Sequence, residues 1–244
     1  MAIKYTEINT EDIICAQLQE YAFIPSQRIS WINKSDKSKL LIQTPKMVSE
    51  AYGIPREGNY FTTDKSRSFY KLAFSHERKQ YADEVDYNEI EEFYKKMKEV
   101  DTYFASTEFK KKLFGDKNLN KYEYQPIVRE DEQEEDNQLY RPPYIKLKID
   151  LNFATNCPII NLYNKEDGVR KLVTVEKLDD ITEYLKYLTK ARFIINIDRL
   201  YLMKIPNGDK KKYGICIKIV AAECENTIKK PLERTDTSTV DFTD

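Results

Sequence analysis

Between Tyr144 and Leu151 the chain alternates strictly: Ile145, Leu147, Ile149 and Leu151 are separated by Lys146, Lys148 and Asp150. A period of two sends the apolar side chains to one face of a strand and the charged ones to the other. The same pattern predicts strands over residues 13–18, 28–33, 39–44 and 69–74, punctuated by Pro25, Pro45, Gly53, Pro55 and Gly58. Within 69–74, Tyr70, Leu72 and Phe74 share one face, and Phe69, Lys71 and Ala73 share the other. Further strands are predicted over 159–163 and 170–175. A closing hairpin joins residues 192–205 to 213–222 through the turn Pro206-Asn207-Gly208-Asp209.

The period changes after Asn88, where Ile90, Phe93, Met97, Val100 and Phe104 step by three and four. That spacing draws the apolar stripe of an amphipathic helix, with Asn88 and Glu91 placed as a capping box. A second helix is predicted from Ser106 to Gly115, with Lys110, Lys111 and Lys112 near its C-terminal end, where they favour the helix dipole. A third runs through Leu178, Ile181, Leu185 and Leu188. Residues 130–138, EDEQEEDNQ, carry six acids and no base, so they read as a mobile acidic loop that has too little to bury. The fold class expected is α+β, mainly β: an OB-like Greek-key β-barrel with an inserted helical segment at 88–114 and a helix before the C-terminal hairpin. One such domain spans 1–230, and a polar, disordered acidic tail occupies 231–244.

With 18 Tyr and 11 Phe in 244 residues the chain can fill a core, yet its formal net charge of −1 offers no overall basic excess. No apolar run approaches the length of a membrane span, and the opening MAIKYTEINTED lacks the basic and apolar regions of a signal peptide. Cys15, Cys157, Cys216 and Cys224 form no C-x-x-C pair, which fits reduced thiols rather than zinc ligands. No phosphate-binding glycine loop or nucleophile-elbow motif occurs, and His76 is the single imidazole, set among charges in Ser-His-Glu-Arg-Lys. The acidic pair Asp179-Asp180 suits a helix start better than a metal site. The expectation is therefore a protein that is not an enzyme, with no cofactor and no metal.

Aromatic and basic residues interleave in three stretches. Residues 28–79 hold eleven Lys or Arg against five Asp or Glu, and include Arg56, Tyr60, Phe61, Lys65 and Arg67. The second stretch contains Tyr144, Lys146 and Lys148; the third is Arg199, Tyr201, Lys204, Lys210, Lys211, Lys212 and Tyr213. Single-stranded nucleic acid calls for this mixture, because cations track phosphates while exposed rings stack bases. Eleven of these residues are the candidate nucleic-acid-binding set: Arg56, Tyr60, Phe61, Lys65, Arg67, Tyr144, Lys146, Lys148, Lys210, Lys211 and Lys212. Strand aromatics also serve as core, and strand lysines as soluble surface, so a protein–protein or structural module accounts for the same composition.

Leu41 to Met47 (LIQTPKM), the Phe-Tyr-Lys-Leu-Ala-Phe strand, the helix from Ile90 to Tyr94 and Tyr140 to Lys148 (YRPPYIKLK) occur in an order that resembles an uncharacterised family of algal and giant DNA viruses. The resemblance runs over most of residues 12–222. The segment from Pro142 to Lys148, Asn152-Phe153-Ala154-Thr155 and Pro158-Ile159 is also similar to part of the single-stranded-DNA-binding protein of African swine fever virus, which has an OB-fold core. These resemblances imply a sequence-tolerant single-stranded-DNA-binding protein of viral replication, repair or packaging, with RNA left open as a ligand. They imply a place in the host cytoplasm, the viral factory or the virion; the lack of an apolar span implies no membrane partner, and the acidic tail with Phe242 offers an anchor to viral replication or virion proteins. The alternative is a structural or scaffolding protein of the virion or factory.

The tail sequence ERTDTSTVDFTD surrounds Phe242 with acids and holds one base, Arg234. Deleting residues 231–244 is expected to leave the fold intact and oligonucleotide binding unchanged or tighter at low salt, because acids that compete with phosphates are removed. Thermal unfolding and binding titrations of the truncated chain check this; loss of folding would place the tail in the core.

Overall fold

The structure is a computed structural model that describes residues 2–14, 32–33, 39–49, 53–74, 86–130, 142–187, 189–203 and 210–225. Cys15, His76, Leu188, the acidic segment from 131 onward, the turn at 206–209 and the tail lie outside the described residues. Short strands β1 (Ile3–Lys4), β2 (Ile13–Ile14), β3 (Ile32–Asn33), β4 (Leu41–Gln43) and β5 (Met47–Val48) precede a one-turn helix α1 (Asp64–Arg67) and strand β6 (Phe69–Ala73). Helices α2 (Tyr87–Ala105) and α3 (Thr107–Phe114) follow, then β7 (Tyr122–Gln125), β8 (Val128–Arg129) and β9 (Tyr144–Lys148). The hairpin β10 (Asn161–Glu166) and β11 (Val169–Val173), helix α4 (Leu178–Tyr184) and the long strands β12 (Lys190–Met203) and β13 (Lys211–Glu225) complete the order.

The β12–β13 hairpin is the spine. β12 pairs antiparallel with β13 from Lys190↔Glu225 to Met203↔Lys212, with register shifts at Ile194/Ile195 and Ile197/Arg199. The other edge of β13 is shared end to end by three parallel strands: β7 along 211–214, β9 at 217–218 and β10 along 221–224. β12 takes β4 and β5 on its far side, and β9 takes β6 on its own. Among the described residues this sheet is open, running β1-β4-β12-β13-β10-β11 along its main path. A mainly β, α+β fold is what the structure has, but the closed Greek-key barrel expected from strand order is not formed by these strands. Closure needs the outermost strands to exchange hydrogen bonds. Here three strands in succession occupy the edge of β13, and β1 and β11 stand at opposite ends of the path.

The helical stripe falls where the spacing predicts, with Ile90, Phe93, Met97, Val100 and Phe104 all buried. The cap differs: Asp86, not Asn88, accepts the backbone N–H groups of Asn88 at 2.9 Å and Glu89 at 3.4 Å. A carboxylate at that position also complements the positive end of the helix dipole. Ser106 caps α3 through the Phe109 N–H at 3.1 Å, and Gly115 ends it at φ 73°, a left-handed conformation that glycine adopts without strain. β7 and β8 have no counterpart among the predicted strands. They are set against α2 by Asp101, whose carboxylate accepts from the Tyr124 hydroxyl at 2.6 Å, the Ile127 N–H at 2.7 Å and the Val128 N–H at 3.0 Å. Burial lifts the Asp101 carboxyl above its ordinary range, against the pull of these donors. The Tyr213 hydroxyl, in turn, donates to the Phe104 carbonyl at 2.6 Å and ties β13 to the end of α2.

Asp101 is 6% exposed, so replacing it would leave buried donors unanswered. Asp101→Ala is expected to lower the unfolding free energy by about 2–4 kcal/mol, from several broken bonds and their desolvated donors. Urea denaturation followed by circular dichroism measures it, and a change below about 1 kcal/mol would show that the β7–β8 corner holds without this acid.

Candidate nucleic-acid interface

Strand parity decides which side chains leave the core. Ile145 and Leu147 of β9, Tyr70 and Leu72 of β6, and Ile215 and Ile217 of β13 are buried. Their neighbours Tyr144, Lys146 and Lys148, Phe69 and Lys71, and Cys216 and Lys218 therefore share the opposite face. Register aligns them across the strands: Lys71 stands beside Lys146, Phe69 beside Lys148, and Lys148 beside Lys218. Arg129 of β8 is registered with Tyr144, and Arg199 of β12 with Cys216.

Two lysines on this face lie over rings. The Lys146 ammonium is 3.7 Å from the Phe69 ring centroid, and that of Lys71 is 4.8 Å from the Tyr144 ring. Burial, followed by the neighbouring charges of Arg129 and Lys71, pulls the Lys146 ammonium below its ordinary pKa. Cations crowded in this way favour an incoming anion, whose charge would raise that pKa again. The far side of the face is balanced differently. Lys218 bonds Asp150 at 2.5 Å and Asp198 at 2.8 Å, while Lys148 lies 3.4 Å from Asp150. Although burial works against it, these carboxylates hold the Lys218 ammonium above its usual range.

Tyr201 crosses the strand beside it. Its hydroxyl donates to Gln125 Oε1 at 3.0 Å, and its ring lies so close over Gly214 that a Cβ there would meet the hydroxyl oxygen at 2.6 Å. Gly214 thus lets a half-buried aromatic ring lie flat against the sheet, where a side chain would lift it.

The eleven predicted site residues separate. Tyr144, Lys146 and Lys148 lie together on this face, and the pairing of Lys212 with Met203 puts it in the same row as Gly214 and Cys216. Phe61 joins the end of the face by packing edge-on against Phe69, with ring centroids 5.7 Å apart. Tyr60 beside it is 95% exposed, and Arg56 and Lys65 are exposed in the same connection. Lys210 and Lys211 are exposed at the hairpin end, Lys211 at 5.9 Å from the Tyr122 ring. Arg67 is different: it is 4% exposed and held by Asp64 at 2.8 Å and Asp179 at 2.7 Å. Its guanidinium joins α1 to α4 and is turned away from phosphates by carboxylates already bound. Asp180 accepts from the Glu176 and Lys177 N–H groups, so this acid of the Asp179-Asp180 pair serves the start of α4 while Asp179 is taken by Arg67.

Arg129, Arg199, Lys218 and Lys71 complete the face and were outside the predicted set of eleven, although Lys71 falls within the first aromatic-basic stretch and Arg199 within the third. The signal for Lys218 was present in the alternation Ile215, Cys216, Ile217, Lys218, Ile219. That for Arg129 was not, since a two-residue strand has no readable period.

No family model matches the chain. It is similar to an uncharacterized protein of Acanthamoeba polyphaga mimivirus, 26% identical over 230 residues. The chain has a giant-virus relative. The match covers 80% of this chain and 54% of the relative, so the chain spans about half the length of the curated protein it matches. Among the described residues no helix is long and apolar enough to cross a membrane.

Gly214→Ala is expected to displace the Tyr201 ring and cost about 1–3 kcal/mol, the usual penalty for forcing an extra carbon into a packed site. A double-mutant cycle by thermal unfolding checks the cause: in a Tyr201→Ala background the same substitution should cost far less, and an undiminished cost would put the strain elsewhere.

Proposed function

We propose that the protein binds single-stranded DNA without sequence preference along the outer face of β6, β9 and β13, in viral DNA replication, repair or packaging. The observation that carries this reading is the cluster of Lys71, Lys146 and Arg129. These cations face outward on adjacent strands, and among the described residues none of them meets a carboxylate. Outward residues on one strand recur every two positions, about 6.6 Å apart. That repeat is comparable with the spacing of phosphates on an extended single strand, so Lys146 and Lys148 can serve successive phosphates. The local cluster matters more than the net charge of −1, because each bound phosphate acts through the counterions it releases.

The resemblance of the segment from Pro142 to Ile159 to part of the African swine fever virus single-stranded-DNA-binding protein accords with this assignment, and the mimivirus relative accords with its viral setting alone. Here the open, strand-built face takes the part expected of a closed OB-like barrel. A second reading, a structural or scaffolding protein of the virion or viral factory, is favoured by β11. That strand stands at an end of the sheet path with Val169 and Leu172 exposed. Exposed apolar residues at a sheet edge suit strand pairing with a protein partner.

Fluorescence anisotropy with labelled oligo(dT) at low and high salt separates the two. Micromolar or tighter binding that weakens steeply with salt is expected, and no binding at low salt would sink the proposal. Charge reversal of Lys146 and Lys148 together should weaken binding to all base compositions alike. It should also flatten the log–log salt slope by about 0.7 for each phosphate that is no longer neutralised. A weakening confined to one base composition would contradict phosphate tracking.

A further inference from the structure

Single-strand binding needs rings as well as cations, and the rings on the outer face are already taken. Phe69 lies beneath Lys146 and against Phe61, and Tyr144 lies beneath Lys71. Two other rings are held in the open. Tyr60 is 95% exposed and Phe153 is 103% exposed.

Phe153 stands at the tip of a short, tightly bonded loop. The loop is closed by the Asn152 N–H to the Cys157 carbonyl at 2.8 Å, and the Asn156 N–H reaches the Asn152 carbonyl at 2.9 Å. The Asn152 side chain accepts from the Ala154 and Thr155 N–H groups at 2.9 and 3.2 Å. Asn156 takes φ 58°, a left-handed conformation that asparagine tolerates. A bridge between Leu151 and Pro158 holds the base of the loop. The ring is thus presented by an ordered backbone, so little ordering entropy remains to be lost when it is covered.

The two ring-bearing loops share one root. Ile149, at the start of the Phe153 loop, donates to the Ser68 carbonyl at 2.9 Å, directly before β6. The Tyr60 turn is closed by paired bonds between Gly58 and Phe61, and Phe61 seats it on Phe69. Both loops therefore leave the end of the β6–β9 pair at which Lys148 stands opposite Phe69.

We infer that Phe153 and Tyr60 are base-stacking platforms for the DNA strand whose phosphates follow Lys146 and Lys148. This rests on the reading of the outer face as a single-strand track. A nucleobase fits better than a protein pocket because the Phe153 tip offers one ring among the small residues Asn152, Ala154 and Thr155. Lys148, although its ammonium also lies 3.4 Å from Asp150, stands at the root of this loop with Lys146 the next outward residue along the strand, so a phosphate chain that follows Lys146 passes close to the tip.

The test compares wild type, Phe153→Ala, Tyr60→Ala and Phe153→Trp for binding to oligo(dT) and to the same oligomer carrying abasic positions. Each alanine variant is expected to bind oligo(dT) about tenfold more weakly, with the salt slope unchanged, because base stacking is removed while every phosphate keeps its cation. Phe153→Trp should restore binding. Abasic positions should weaken wild type more than Phe153→Ala. The Phe153 side chain is fully exposed, so the thermal midpoint of Phe153→Ala should match wild type. If wild type binds and Phe153→Ala binds equally well, the inference is overturned. The same follows if Phe153→Ala keeps DNA affinity but abolishes a self-association that wild type shows, which would make the tip a protein-docking element. Failure of wild type itself to bind at low salt would instead remove the single-strand reading of the face.

Discussion

Every part of the candidate interface takes its position from the pairing of β13. This strand is fifteen residues long and has a partner along both edges for most of its length. A slip of one residue in any of these pairings would turn a strand's outward cations into the core and its core residues into water. Such a slip is resisted by Ile215, Ile217 and Ile219 on the buried side, together with the bond from the Tyr213 hydroxyl to the Phe104 carbonyl. The order of the outer face is therefore a consequence of burial on the inner one.

The constraint extends to strands too short to hold a register alone. β8 is two residues long and is fixed from both sides: Asp101 binds the Ile127 and Val128 N–H groups, and β9 pairs with Val128 and Arg129. Arg129 reaches the face because a buried acid on α2 anchors the backbone just before it. The electrostatics divide along the same lines. Near β12, Asp150 and Asp198 answer Lys218, whereas near β6 the cations face one another and the Lys146 ammonium is depressed. Lys71, Arg129 and Lys146, which meet no carboxylate among the described residues, gather on β6, β8 and β9, and the ring-bearing loops emerge from the Lys148 end of the β6–β9 pair.

The sequence made legible whatever repeated with a clear period. The burial of Ile90, Phe93, Met97, Val100 and Phe104, the alternation from Tyr144 to Lys148 and the long closing hairpin all follow from spacing that side-chain burial enforces locally. Closure of the sheet was not legible, because it depends on which strand takes the second edge of β13, and three short strands share that edge, an arrangement that no pattern within a single strand announces, not even the clear alternation of β9. Tyr122 and Tyr124 did alternate, but four residues beside a helix pattern carry too little period to announce a strand. Arg67 was misleading for a related reason. Its neighbours Lys65 and Phe69 suggest a basic stretch, and only the fold brings Asp179 to it across 112 positions.

The two kinds of ring on this molecule indicate how a strand could be taken up. Lys146 on Phe69 and Lys71 on Tyr144 are cation–π contacts, each worth about 0.5–1 kcal/mol where water still reaches. They hold the lysines extended along the sheet, so little side-chain freedom is left to lose when a phosphate arrives. A phosphate adds charge attraction and counterion release to a cation that need not leave its ring. The rings beneath the lysines thus act on the phosphate track by ordering its cations, and stacking of bases falls to rings that no lysine covers. Tyr60 and Phe153 meet that condition, and they stand on loops rooted where the track ends.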